Sequence, residues 1–272
     1  MATSDISLTA GMRTNLLNLQ TTSTLLNRTQ ERLSSGKKVN SALDNPTNYF
    51  AAQNANQRAG DLADRKDGMS EAVQTVSAAN AGISAITGLI NAAKGIAQSA
   101  MSTSDTGVQS KLAVQYNTIR TQIDNLSSDS GYRGLNLLSS TNTLTVTFNE
   151  NASSAMNVVG FLANSTGLSL SAATGNWQTT SNITTDTAKM DTAISTLRTN
   201  TQTLAANLNI ITNRQNFTDE MISTLQTGAD NLTLADMNQE GANMLMLQTR
   251  QSLGTTSLSM SSQAAQAVLR LF

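Results

Sequence analysis

Hydrophobic residues recur every seven positions over most of this chain. The longest series runs from Ile183 to Ala267 and is apolar at every seventh position except Thr218 and Gln239. A strict seven-residue repeat is typical of α-helices that supercoil around partner helices. The pattern therefore predicts long helices packed side by side rather than a single compact core.

Shorter series with the same spacing lie near the start of the chain, over 62–97 and over 112–126. A helix with one narrow apolar stripe cannot bury that stripe alone, so each series needs partner helices. The residues that we predict to pack the central helices are Leu62, Met69, Val76, Ile83, Ile90, Leu112, Ile119, Leu126, Met190, Leu197, Leu204, Ile211 and Leu225.

The middle of the chain has a different pattern of apolar and polar residues. Leu144, Val146 and Phe148 alternate with polar neighbours, which predicts a half-buried strand with a second strand beside it. Residues 150–182 are rich in Ser, Thr, Asn and Gly, and we interpret them as the rest of a small hairpin and an irregular surface loop. The predicted fold class is mainly α: elongated, with long coiled-coil-like helices, paired termini and a small central β-hairpin region.

The stretch RLSSGKKVNSALDNPTNYF, 32–50, interrupts the first apolar stripe and holds the only proline of the chain. Gly36 can adopt the left-handed conformation that ends a helix. Asn45 can cap the next helix, and Pro46 suits its first position because no hydrogen bond is lost there. We therefore predict an ordered connector between two helices.

The same stretch is not a nucleotide-binding loop. A Walker loop requires Gly, four residues and then Gly-Lys-Ser/Thr, whereas Glu31 occupies the place of the first Gly and Lys38 that of the hydroxyl residue. Two interpretations stay open for Lys37 and Lys38, which either are solvated or touch a neighbouring subunit.

Composition and charge exclude several functions. The net charge of −1 provides no electrostatic footprint for nucleic acid. The chain contains no His and no Cys, so the usual nucleophile–base pairs and thiolate metal sites cannot be built, and we expect no enzyme activity, metal or cofactor. The start lacks the pattern of a cleaved signal peptide, and no run of 18 apolar residues predicts membrane insertion.

The glycines of the second series leave two interpretations open. Gly60, Gly88 and Gly95 share one heptad position, and Gly68 and Gly82 share the adjacent one. Each costs about 1 kcal/mol relative to Ala inside a helix. Either the helix simply tolerates glycines on this face, or another helix or subunit approaches the face too closely for side chains.

These features together resemble bacterial flagellin, the subunit of the flagellar filament, in a short form without large outer variable domains. The connector is similar to the flagellin signature RLSSGxxINSAxDD, the segment LADMNQEGANMLMLQTRQSLGTTSLSMSSQAAQAVLRLF is similar to the closing helix of that family, and NTLTVTF is similar to the strand after its third helix. The residues that match the signature, together with the proline that follows them, are Arg32, Ser34, Ser35, Gly36, Asn40, Ser41, Ala42, Asp44, Asn45 and Pro46, with Leu33 also in its matching place.

The resemblance implies a domain organisation. Residues 1–36 and 236–272 would form an inner coiled coil, 37–56 a connecting spoke, 57–140 and 183–235 an outer helical rod, and 141–182 the hairpin with its surface loop. The residues that would pack the inner part of the filament are Leu8, Met12, Leu16, Leu19, Leu26, Leu33, Met246, Leu253, Met260, Val268, Leu269, Leu271 and Phe272.

The resemblance also implies partners and a location. The protein would form a helical homopolymer outside the cell that serves swimming motility. It would be exported unfolded, without a cleaved signal peptide, by the flagellar type III apparatus with a secretion chaperone. It would then assemble under a cap protein, in contact with hook–filament junction proteins.

Two other functions remain in competition. A hook–filament junction protein shares the terminal helices and export route, but it would carry a larger middle domain. A chemoreceptor signalling hairpin also has small-residue heptads, but it requires two uninterrupted helices. The break at 36–46 and the β-like middle argue against that hairpin.

Overall fold

The computed structural model describes residues 10–269, with the side chains of residues 10–267. Within that range the fold is mainly α with one small antiparallel hairpin, which confirms the predicted fold class. The elements in chain order are α1 (Ala10–Ser35), α2 (Pro46–Met101), α3 (Thr106–Asp129), β1 (Thr143–Thr147), β2 (Ala155–Val159), a 3₁₀ turn (Thr174–Trp177), α4 (Thr180–Thr233) and α5 (Met237–Leu269).

The chain divides into two compact units. Unit one comprises Met1–Gln57 and Thr224–Phe272, so it contains α1, α5, the start of α2 and the end of α4. Unit two comprises Arg58–Ser223 and contains α3, the hairpin and most of α2 and α4. Each unit has its own buried residues and is described separately.

Local sequence signals set the ends of α1 and α2. Gly36 has φ +70°, and its N–H donates to the Arg32 carbonyl at 2.8 Å, which closes α1 in the predicted left-handed conformation. The Asn45 side chain accepts from the Asn48 N–H at 3.1 Å, which confirms the predicted cap of a helix that starts at Pro46. The non-helical part of the connector is therefore 36–45, because this cap starts α2 at Pro46.

The core of unit two is shared by α2, α3, α4 and the segments between them. In the hairpin, Leu144 pairs with Val158 and Val146 with Met156. Val146 and Val158 are buried, whereas the polar residues that alternate with them face solvent. The predicted alternation at Leu144, Val146 and Phe148 is confirmed, since the first is half-buried and the other two are buried.

The segment that follows the hairpin is not the surface loop that its polar composition predicted. Leu168, Leu170 and Trp177 are buried in the core of unit two. The Phe161 and Ala163 N–H groups donate to the carbonyls of residues 137 and 138 at 2.8 Å, which ties this irregular chain down. The segment can be buried because its backbone N–H and C=O groups find hydrogen-bond partners inside the unit. Its scattered apolar residues are then sufficient to pack it into the core.

A buried carboxylate organises the start of α4. Asp186 accepts hydrogen bonds from the Thr174 N–H, the Thr174 hydroxyl and the Lys189 ammonium. Burial alone would raise the pKa of Asp186, but these bonds and one from Trp177 hold it below its ordinary value. The Trp177 ring in turn lies 5.0 Å from the Tyr116 ring.

The glycines of α2 fall into two groups. A Cβ at Gly82 would overlap the Ser130 side chain and lie 2.7 Å from Leu138 Cδ1. By contrast, a Cβ at Gly60, Gly68, Gly88 or Gly95 would meet open space. Close approach within the chain therefore explains Gly82, whereas no contact among the described residues explains Gly60, Gly68, Gly88 or Gly95.

One window of 18 residues in α2 has a mean hydropathy of 1.2, which by length and composition alone is apolar enough for a membrane span. The same helix contributes Met69, Val76 and Ile90 to the core of unit two, each with no exposed surface. Packing within the protein thus accounts for the apolar composition of α2.

Candidate functional site

The terminal helices α1 and α5 pack against each other in unit one. Met12 of α1 and Leu247 of α5 are buried in this pair, with 7% and 5% of their surface exposed. A Cβ at Gly254 would lie 2.6 Å from Leu19 Cδ2, so the two helices approach closely at this point. The glycine provides space for the leucine.

An ion pair joins the same two helices near the connector. The Arg32 Nη1 atom lies 3.0 Å from Glu240 Oε1, and Glu240 is buried. A buried carboxylate is costly unless a charged partner offsets its lost hydration. Arg32 therefore matters to the folding of unit one and not only to the surface of α1.

Backbone hydrogen bonds attach the connector to the junction between α4 and α5. The Lys38 and Val39 N–H groups both donate to the Thr233 carbonyl, at 2.7 and 3.3 Å, and the Ala235 N–H donates to the Gly36 carbonyl at 2.9 Å. The Lys38 ammonium also donates to the Asn231 carbonyl at 3.2 Å. The connector is consequently ordered, and Lys38 has a partner within its own chain.

A tight turn in the connector is organised by Asp44. One carboxylate oxygen of Asp44 accepts from the N–H groups of Asn40 and Ser41, each at 3.0 Å, and from the Ser41 hydroxyl at 3.2 Å. Hydrogen bonds from the Ser41 and Asn40 backbone hold the pKa of Asp44 below its ordinary value. Leu43 projects from this turn with 96% of its surface exposed.

A polar cavity lies beside the connector. It measures about 390 Å³ and is lined by charged and amide side chains that include Arg32, Asp44 and Glu240. Among the described residues, no cluster of three or more His, Cys, Asp or Glu side chains could hold a metal ion. Unit one thus combines a pair of packed helices, a connector held by hydrogen bonds and exposed apolar side chains.

Comparison with known proteins identifies the family. Residues 6–143 match the bacterial flagellin N-terminal helical region. The chain belongs to the bacterial flagellin family. Flagellin FljK of Caulobacter vibrioides is 30% identical over 280 residues, and flagellin FljM of the same organism is 29% identical over 273 residues; both matches cover 100% of each chain.

A solved structure also matches in part. The crystal structure of Bacillus cereus flagellin is 18% identical, with a TM-score of 0.47, and the match covers 56% of this chain and 88% of that one. The family assignment rests on the sequence matches. It makes this chain a structural subunit of the bacterial flagellar filament, located outside the cell, and nothing in the matches favours the junction-protein alternative.

In this flagellin, the predicted inner residues of α1 face two ways. Met12 is buried and Leu19, Leu26 and Leu33 are half-buried, whereas Leu16 is 38% exposed. Leu8 lies outside the described residues.

The predicted inner residues of α5 are exposed. Met246, Leu253 and Met260 have 45%, 65% and 60% of their surface accessible. Val268 and Leu269 belong to α5, but their side chains lie outside the description, as do Leu271 and Phe272.

The side of α5 that packs on α1 is displaced by one residue from the predicted series. Its contacts are made at Glu240, Leu247 and Gly254, each one position after a member of the series counted from Ile183. The series was counted through residues 234–236, where the structure interrupts the helix. A break releases the rotational phase of the next helix, so the count does not carry across it.

Most of the predicted rod residues lie in the core of unit two. Leu62, Met69, Val76, Ile83, Ile90, Met190, Leu197, Leu204 and Ile211 are buried. Leu112, Ile119 and Leu126 are half-buried on the flank of α3, whose buried positions include Tyr116 and Ile123. Leu225 falls in unit one and is half-buried.

Most of the signature residues have structural contacts in the connector. Ser35 accepts at its hydroxyl from the Lys37 N–H at 3.2 Å, and Asn40 donates from its amide to the Lys37 carbonyl at 3.3 Å. Ala42 is half-buried and Ser34 is exposed. Sequence reasoning missed Glu240, whose only signal was an acidic residue in the first turn of α5.

Proposed function

We propose that α1 and α5 form the inner part of the filament, where their exposed apolar residues pack against neighbouring copies. The observation that supports this is the row Met246, Leu253 and Met260, which α1 leaves uncovered. Residues seven apart lie on nearly the same face of a helix, so the three form one stripe. We call this set the α5 stripe.

Helix α1 adds to the same kind of surface. Leu16 and Leu17 have 38% and 63% of their surface exposed. Full burial of one such side chain stabilises by roughly 1.5–3 kcal/mol, so covering several of them can drive assembly without any ligand. In this proposal the buried apolar residues of α1 and α5 stabilise the single chain, and the exposed ones stabilise the polymer.

We also propose that unit two forms the outer rod, joined to the inner helices by the connector. Its separate core of α2, α3 and α4 supports an independently packed body. The finer division into residues 57–140 with 183–235 as rod and 141–182 as hairpin and loop remains part of this proposal, with residues 224–235 of the rod belonging to unit one.

We also propose, from membership of the flagellin family, that the chain is exported unfolded by a type III apparatus with a chaperone, and its composition is consistent with this route. The chain has no cysteine, so no disulfide must form or break between compartments, and only 3% of its residues are aromatic. Assembly under a cap protein, beside junction proteins, completes the proposed sequence of events.

The experiment is assembly of the purified full chain onto seeds, observed by electron microscopy. A triple variant, Met246→Ser, Leu253→Ser and Met260→Ser, removes the α5 stripe from an exposed surface. We expect it to keep the helical circular dichroism of the wild type and to form no filaments at concentrations where the wild type polymerises.

The matched control is Thr249→Ser with Thr256→Ser, which changes two exposed residues of the same helix and retains their hydroxyls. This control should polymerise normally. Deletion of residues 268–272, which we propose to extend the apolar surface, should also abolish polymerisation. Normal filaments from the triple variant would refute the proposed role of the α5 stripe.

A further inference from the structure

We propose that Leu43 of one copy inserts into an apolar cleft on unit two of a second copy, and that this contact helps to hold the filament together. The inference rests on the proposed function, because it names one contact of the polymer. The proposed binding partner of the exposed connector turn is a second copy of the same protein.

Leu43 is the most exposed large apolar side chain among the described residues, at 96%, and the next is Leu245 at 68%. Single exposed leucines are common on protein surfaces and need no explanation by themselves. Leu43 differs in its support, because the turn on which it sits is fixed by the Asp44 hydrogen bonds and the connector is pinned to Thr233. Because the backbone of this turn is already fixed, little additional chain has to be ordered when a partner covers Leu43.

The cleft lies in unit two beside the end of the hairpin. It measures about 210 Å³, and its lining combines the apolar Leu62, Phe148, Phe217 and Met221 with polar residues that include Arg58, Glu150 and Arg214. Phe217 is 53% exposed, so the cleft is open to solvent. An apolar cavity of about 150 Å³ can hold benzene, and this cleft therefore has room for the isobutyl group of a leucine.

The acidic Asp44 lies beside Leu43, but the connector also carries the exposed Lys37 and Lys38, so only the Asp44 side of the turn is opposite in charge to the arginines of the cleft. Asp44, next to Leu43, has a lowered pKa and stays ionised at neutral pH. The edge of the cleft carries Arg58 and Arg214 against a single carboxylate, Glu150, which pairs with Arg58 at 2.8 Å. The Arg214 guanidinium lies over the Phe148 ring, 5.3 Å from its centroid, so its positive charge is held at the edge of the cleft.

The geometry of such a contact produces an open polymer. Leu43 belongs to unit one and the cleft to unit two, so the two surfaces are different patches of the chain. Contacts between different patches are head-to-tail, and they give helical filaments whenever the rotation between copies does not close a ring. Each added copy presents a new Leu43 and a new cleft.

The test uses the absence of cysteine from the chain. One preparation carries Leu43→Cys and another carries Phe217→Cys, and the two are mixed, polymerised on wild-type seeds and oxidised with diamide. A disulfide requires Cβ atoms within about 4.5 Å, so it reports direct contact. We expect a mixed disulfide dimer in filaments and none in unpolymerised protein, with its two peptides identified by mass spectrometry.

Met221→Cys replaces Phe217→Cys if the latter does not polymerise. The control partner is Lys111→Cys, an exposed position on α3. Filaments that form while Leu43→Cys gives no more dimer with either cleft variant than with the control would overturn the contact and leave the proposed function intact. Failure of the wild-type chain to form filaments would instead refute the proposed function, and the contact with it.

A second measurement avoids cysteine altogether. Leu43→Ala should raise the critical concentration for polymerisation by about tenfold, whereas Leu43→Met, which conserves volume, should change it by less than about threefold. Val159→Ala truncates a 60% exposed side chain on β2 and should leave the critical concentration unchanged. Equal effects of Leu43→Ala and Val159→Ala would contradict a specific role for Leu43.

Discussion

The indole Nε1 of Trp177 donates a 2.9 Å hydrogen bond to the Oδ2 atom of Asp186, and neither residue has any exposed surface. The same carboxylate accepts from the backbone and hydroxyl of Thr174, both at 2.8 Å, and from Lys189 at 3.0 Å. One side chain near the start of α4 thereby holds the irregular segment before it. Trp177 is also the only tryptophan of the chain, so its fluorescence reports on this contact.

Replacement of the carboxylate should destabilise unit two. We expect Asp186→Ala to lower the free energy of unfolding by about 3 kcal/mol, because it leaves a buried indole N–H and a half-buried amide without their acceptor. Urea denaturation followed by Trp177 fluorescence measures the change. The control is Asp191→Asn, which removes an exposed partner of Lys94 and should cost less than about 1 kcal/mol. Equal losses of unfolding free energy in the two variants would show that Asp186 contributes no more to stability than an exposed carboxylate.

Acid should weaken the same contact. The pKa of Asp186 is lowered in the folded protein, so its stabilising effect is complete above its ordinary value of 3.8 and is lost as the pH falls through the folded value. We expect the free energy of unfolding of the wild type to decrease with falling pH below about 4. Urea titrations at a series of pH values measure the slope.

The control for the acid effect is Asp186→Asn, which has no titrating group at this position. Its unfolding free energy should be lower at pH 7 and should vary less with pH below 4 than that of the wild type. Parallel curves for the two proteins would assign the acid sensitivity to other carboxylates.

Two glycines of α2 should respond to alanine in opposite directions. Gly82→Ala places a methyl group against Ser130 and Leu138, and we expect a loss of about 1–3 kcal/mol from overpacking. Gly88→Ala adds a methyl group in open space and should stabilise the helix by about 1 kcal/mol. Thermal unfolding of both variants provides the comparison, and Ser130→Gly should recover part of the loss caused by Gly82→Ala. A stabilising Gly82→Ala would disprove the close approach.

The ion pair between Arg32 and Glu240 should be important for unit one. Arg32→Ala leaves a buried carboxylate uncompensated, and we expect a loss of about 3 kcal/mol that exposes α1 and α5 to faster amide exchange. Arg28→Ala changes an exposed arginine of the same helix and should cost less than about 0.5 kcal/mol. Removing both charges with Arg32→Met and Glu240→Leu should restore most of the stability, and a double variant as unstable as Arg32→Ala would contradict this explanation.

The sequence by itself determined the helical character of the chain, the end of α1, the start of α2 and most of the core. The seven-residue spacing from Leu62 to Ile90 identifies the buried face of α2, because a continuous helix keeps its rotational phase along its whole length. Gly36, Asn45 and Pro46 mark the helix ends since each meets a local backbone requirement that depends on no distant residue. The terminal segments and the connector signature were sufficient to indicate the family.

The tertiary structure decided what depends on distant partners. Only the packing of α1 on α5 selects Leu247 and Gly254 rather than Leu253 as the contact side, because the break at 234–236 frees the rotation of α5. Trp177 precedes the periodic series that begins at Ile183, and Asp186 is a polar residue within it; their hydrogen bond exists because the segment after the hairpin folds back into the core. Local residue spacing determines where a helix forms and which of its faces is apolar. The rest of the fold determines which groups pair with buried polar atoms and on which side two helices meet.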